Sequence, residues 1–205
     1  SLTKTEVVID YQKLLEEAIF APHGFLEGTL SLLHFQDEIL SCLYRLPARK
    51  DSGHPESEAE DSDYEEREPV QPGWLIVLNV NARTIAFSRF FESTKNVFAR
   101  TAVYTTPGVL QPARTYLYYG YRKLNHFERR HRWALEGFDL TSKRPLGDFH
   151  HLQNTDGFEL GSTVCFEIIG GFFYAVTNQS TYRAQEIDWS SFYHCIRFPI
   201  NDPCR

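Results

Sequence analysis

The chain is 205 residues long, 42% hydrophobic and 15% aromatic, with a formal net charge of -6. That length suits one domain, or one domain with a small helical piece, and it is enough to bury a core without disulfide staples. The acidic balance excludes a wholesale polyanion binder, and no apolar run reaches the roughly 20 residues that a helix needs to cross a bilayer.

The chain has no Met and opens on Ser1, so both ends are expected to be trimmed. Cys42, Cys165, Cys195 and Cys204 show no Cys-x-x-Cys spacing. Reduced thiols in the cytosol or nucleus are therefore expected, and no signal-peptide core is visible.

In chain order, Val7 to Leu46 reads as helical. Val8, Tyr11, Leu14, Leu15 and Ala18 recur at intervals of three and four, which builds one apolar face. Pro22-His23-Gly24 breaks that helix, and Leu26, Leu30, Leu33, Ile39, Leu40 and Leu43 predict a second one ending at Pro47. Residues 1–48 are thus expected to be a helical segment, either packed on a neighbouring body or forming a partner-binding hairpin.

Residues 49–72 change texture abruptly. Glu56, Glu58, Glu60, Asp61, Asp63, Glu65, Glu66 and Glu68 crowd a stretch with almost no apolar residues. Such a stretch cannot bury enough surface to offset its ordering entropy, which predicts a disordered acidic linker. Ser57 and Ser62 each have an acidic residue three positions on, which suits an acidophilic kinase.

Residues 73–205 read as a β-rich binding body. Aromatic and β-branched residues favour pleated surfaces, and strand-like runs span Leu75–Val80, Thr115–Tyr121, Trp133–Leu140, Val164–Ile169, Phe172–Thr177 and Tyr193–Phe198. Trp133 and Leu135 share a face in this reading, with Phe138 a candidate for the same one. Gly170-Gly171 between two such runs is a strong hairpin signal, because primed turns need positive φ at their centre. Thr84 to Arg100 fits neither period and reads as irregular or as a short helix. Many short strands with regular turn signals mean a sandwich, barrel or propeller.

No pattern points to catalysis. Cys165 and Cys195 sit in apolar strand contexts, where buried thiols are inert. No Gly-x-Ser-x-Gly elbow or phosphate-cradling glycine loop is present. His126 and His131 lie among arginines, and the adjacent His150 and His151 point to opposite faces of a strand. No metal or other cofactor is expected. Arg122, Lys123, Arg129, Arg130 and Arg132 form a basic loop, read either as a solvated β-hairpin loop or as a surface that binds an acidic protein partner. Nucleic acid is not expected there, because aromatics do not interleave with the arginines. Trp189 and Tyr193 are candidate partner-binding anchors, with a place in the core as the alternative.

The strings "WALEGFDLTSKRPLGDF", "STVCFEIIGGFFYAVTNQ" and "EIDWSSFYHCIRFPIND" occur in that order from Trp133 onward. Together they resemble a family of fungal F-box proteins. The resemblance implies a blade-like region with a recruiting surface, and an F-box that docks onto the cullin–RING ubiquitin-ligase core. The F-box itself is not evident: "FQDEILSCLYRL" lacks the proline of a Leu-Pro-x-Glu-like opening. Trp74 to Arg205 has the length of about three propeller blades. The expectation is therefore a partial propeller-like body completed by a partner, or a closed antiparallel β body. A non-catalytic scaffold subunit is the alternative function.

Overall fold

The computed structural model describes residues 8, 10, 13, 16, 28–48, 71–106, 108, 110, 112–125, 130–147, 150–151, 160–179 and 193–201. They form three antiparallel sheets, none of them closed. The first sheet orders β1 (Thr29–Gln36), β2 (Ile39–Arg45), β3 (Gly73–Asn79) and β4 (Thr84–Phe91) consecutively. The second orders β5 (Phe98–Tyr104), β6 (Arg114–Asn125), β7 (Arg130–Asp139) and β8 (Arg144–Pro145), with β9 (His150–His151) also on β7. The third orders β10 (Leu160–Ile169), β11 (Phe172–Gln179) and β12 (Tyr193–Pro199).

The chain divides into two compact units. One comprises Ser1–Leu32 and Cys42–Lys95, the other Leu33–Ser41 and Asn96–Arg205. The mainly β class expected from the aromatic composition is what the structure shows, but the alternative of a closed body is not.

The second expected helix, over Leu26 to Leu43, is replaced by β1 and β2. Leucines spaced by three and four satisfy a helical face, yet β2 has neighbours on both sides and buries Ile39, Cys42, Leu43 and Tyr44. A central strand buried on both faces loses the alternation by which a strand is recognised. Of the first expected helix, only Val8, Asp10, Lys13 and Glu16 are described; Lys13 and Glu16 have helical backbone.

Most of the acidic stretch, residues 49–70, lies outside the described residues. The described residues that flank it meet, because the Leu46 N–H donates to the Pro72 carbonyl at 2.8 Å. The stretch expected to separate a helical piece from a β body therefore joins two neighbouring strands of one sheet. Thr94 fixes the same corner: it is buried, and both its N–H and its hydroxyl donate to the Gln71 carbonyl, at 2.9 and 2.8 Å.

Thr84 to Arg100, expected to be irregular, contains β4 and the start of β5. A register shift between Val77 and Leu78 offsets the β3–β4 pairing, and Asn96 takes a positive φ of 60° in the turn that follows. Both features disturb a regular period.

In the second unit, one core cluster joins side chains of the five- and three-stranded sheets. Ala102, Tyr116, Tyr118, Trp133, Leu135, Phe166, Ile168, Phe173, Ala175 and Ile200 are buried in it. Phe98 stacks on Phe166 with ring centroids 3.6 Å apart, and Trp133 meets Phe166 edge-on at 5.1 Å. The Tyr118 hydroxyl donates to the Ile200 carbonyl at 2.8 Å, so this buried ring keeps its polar end satisfied. Trp133 and Leu135 share the core face as expected. Phe138 does not, since the register sets it opposite Leu117, on the alternate face.

The turns after β3 and β7 are built alike. Asn79 Oδ1 accepts the Ala82 N–H at 2.9 Å, and Asp139 Oδ1 accepts the N–H groups of Thr141 and Ser142 at 2.9 and 3.1 Å. Four residues beyond each capping side chain, Arg83 and Lys143 take positive φ values of 53° and 57°. The shared device is an Asx-type turn closed by one left-handed residue.

Candidate partner-binding surfaces

The basic segment is part of a long hairpin rather than a loop. Arg122 and Lys123 lie on β6, while Arg130 and Arg132 lie on β7. The register sets Lys123 directly opposite Arg132, Asn125 opposite Arg130, and Arg122 opposite Trp133. Tyr193 begins β12 opposite Asn178, on a different sheet from the basic pair. Arg129 and Trp189 lie outside the described residues.

The third sheet presents a surface that the sequence did not single out. Because Phe166, Ile168, Phe173 and Ala175 face the core, their neighbours in sequence face away. The register arranges the outward residues in three rows: Cys165–Val176–Cys195, Glu167–Tyr174–Arg197 and Ile169–Phe172–Pro199. Ile169 is 62% exposed. The Arg197 guanidinium lies 3.8 Å from the Phe172 ring centroid and 5.6 Å from that of Tyr174. Glu167 approaches Arg100 at 3.6 Å, and one of its oxygens accepts the Ile168 N–H at 3.0 Å. The face thus offers a cation held over two rings, flanked by aliphatic side chains. Strand alternation on either side of Gly170-Gly171 was the signal that could have found it.

Cys165 and Cys195 are exposed free thiols on that face, not the buried packing residues expected from their apolar neighbourhoods. They flank Val176 from the two outer strands, so about two inter-strand spacings, roughly 10 Å, separate their backbones. That exceeds the reach of a disulfide between them. Cys42 is different: it is buried, and burial pushes its thiol up to about 11. Cys204 lies outside the described residues.

A second polar cluster occupies the other face of the five-stranded sheet. Glu136 accepts the Tyr119 hydroxyl at 2.7 Å and the Tyr121 hydroxyl at 3.1 Å. Tyr119 is buried, so these bonds offset the desolvation of its hydroxyl. Among the described residues no group of three or more His, Cys, Asp and Glu side chains is arranged to hold a metal ion. No described helix is long and apolar enough to cross a membrane.

No protein-family model, curated protein or solved structure matches the chain.

Proposed function

We propose that this chain is a non-catalytic protein-binding module, a substrate-recruiting adaptor of the F-box type that serves a cullin–RING ubiquitin ligase. The observation that carries the binding role is the outer face of the third sheet. Arg197 over Phe172 and Tyr174, with exposed Ile169 beside them, has the composition of interface hot spots, which favour Arg and aromatic residues over other surface types. The ligase connection is supported by the sequence resemblance from Trp133 onward. In this reading the three sheets of consecutive antiparallel strands are propeller-like blades. Exposed, unpaired thiols fit a reducing cytosolic or nuclear setting.

Affinity purification of the full-length protein followed by mass spectrometry tests the proposal. The expected result is recovery of the cullin–RING core together with a substrate. Ile169→Glu and Arg197→Ala are expected to lose the substrate, by about tenfold or more for a central anchor, while keeping the core. Absence of the ligase core overturns the adaptor reading.

A scaffold subunit of a stable assembly is the second reading, favoured by the fact that none of the three sheets closes. It predicts one stoichiometric partner and no ligase core.

A further inference from the structure

We propose that the outer face of the third sheet takes partner segments that carry a carboxylate beside a bulky apolar side chain, with Arg197 holding the carboxylate. This rests on the binding role proposed for that face and names the chemistry of its partner; it does not rest on the ligase role.

The rings fix where the cation stands. Tyr174 is paired with Arg197, and Phe172 lies two residues before Tyr174, so both rings share the face of Arg197. The guanidinium leans diagonally onto Phe172, at 3.8 Å from that ring centroid against 5.6 Å for Tyr174. A guanidinium stacked on a ring spends the flat side of its plane. Its N–H fork stays at the edge, the part that meets a carboxylate through two parallel hydrogen bonds. Arg197 is exposed, which leaves it within reach of a partner.

The other charges of the face set the sign and size of the ligand. The three outward rows hold two charged residues, Glu167 and Arg197, at opposite ends of the row through Tyr174. Two inter-strand spacings, roughly 10 Å, separate their backbones. Glu167 is met by Arg100 at 3.6 Å and accepts the Ile168 N–H at 3.0 Å, so its charge is engaged by its own neighbours. Arg197 is thus the charge that the face offers. One planar fork matches one carboxylate, whereas phosphate groups are recognised by clusters of Arg.

The apolar half of the footprint lies alongside. Ile169, Phe172 and Pro199 form the next row, and Ile169 is 62% exposed. Phe172 belongs to both halves, because it carries the guanidinium and stands between Ile169 and Pro199. An aspartate or glutamate next to a leucine, isoleucine or phenylalanine fits this pairing of a cation with an aliphatic row.

Selection of random short peptides displayed on phage against the full chain tests the proposal. The expected result is enrichment of peptides in which Asp or Glu adjoins a large apolar residue. The best of them, made synthetically, is expected to lose about tenfold in affinity when its acid is changed to the matching amide. A similar loss is expected against Arg197→Gln, and the two changes together should cost no more than either alone, because they remove one contact. Arg197→Lys should restore only part of the affinity, since the charge is kept and the planar fork is lost. The bound peptide should slow thiol labelling of Cys195, two residues from Arg197 on the same face, more than that of Cys165 on the far strand. Additive losses, equal binding by acid and amide, or tighter binding with phosphoserine in place of the acid overturn the carboxylate assignment and leave the face a binding surface. Enrichment of no peptide, or binding that leaves Cys195 labelling unchanged, overturns the binding role of the face as well.

Discussion

Two hairpins in this protein share a turn conformation and differ in what fills it. Gly170 and Gly171 join β10 to β11 with φ values of 58° and 82°. Asp37 and Glu38 join β1 to β2 with φ values of 49° and 67°. Both are two-residue turns with positive φ at each centre, the geometry that matches the right-handed twist of paired strands. In the first, glycine adopts it without steric cost. In the second, two side chains are held in a region that costs an L-residue roughly 1–2 kcal/mol. A primed turn can thus be imposed by the strands it connects, and then the turn residues no longer announce it.

Substitutions at Gly171, Gly170 and Glu38 test that comparison. The largest effect is expected at Gly171. A Cβ there would sit 2.5 Å from Cε2 and 2.9 Å from Cδ2 of Tyr104, in addition to the positive φ. Gly171→Ala should cost about 3 kcal/mol by combining backbone strain with overpacking, read as a lowered urea midpoint. If it is tolerated, the close packing of Tyr104 on the turn is not what holds this hairpin.

The second hairpin carries its own signature in Cys42. Its thiol is raised by burial from 9.0 to about 11, so the neutral form is favoured in the folded state. Its contribution is fully present below pH 9 and is lost as pH rises toward 11, by up to about 2 kcal/mol. The wild-type chain should lose stability faster than Cys42→Ala over that window in parallel denaturation series. Thiol-reagent labelling at neutral pH should modify Cys165 and Cys195 quickly and Cys42 only on unfolding.

Gly170→Ala isolates the dihedral cost, because a Cβ there meets nothing within 4 Å. A loss of about 1 kcal/mol is expected, clearly less than at Gly171. The smallest effect has the opposite sign. Glu38→Gly should stabilise by about 0.5 kcal/mol, since relief of the left-handed strain slightly outweighs the added freedom of the unfolded chain. Destabilisation by Glu38→Gly would show that this turn is held by side-chain contacts rather than tolerated despite strain.

The same contrast explains what was legible elsewhere. The runs around Gly170-Gly171, the tyrosine strand within β6 and the Trp133 strand within β7 could be read because apolar and aromatic residues stood between clear turn residues. Leu26 to Leu43 misled, since its leucine spacing suits a helix and its turn is Asp-Glu. The candidate surface was hidden for another reason. Phe172, Tyr174 and Arg197 come from two strands, and only the pairing of Tyr174 with Arg197 makes them one patch. Likewise the basic segment read as a loop because the strand character of Lys123 and Arg132 depends on their pairing.

By itself the sequence determined the mainly β class, the Gly170-Gly171 hairpin and several strands, because backbone freedom at glycine and aromatic preference for pleated surfaces act locally. The tertiary structure decided that residues 29–45 are strands, that the acidic stretch joins two neighbours in one sheet, and that Cys165 and Cys195 face outward while Cys42 is buried. Those outcomes depend on which strand lies beside which. Register and burial are settled by non-local hydrogen bonds and packing, and a one-residue shift in pairing would turn each of these side chains to the opposite face.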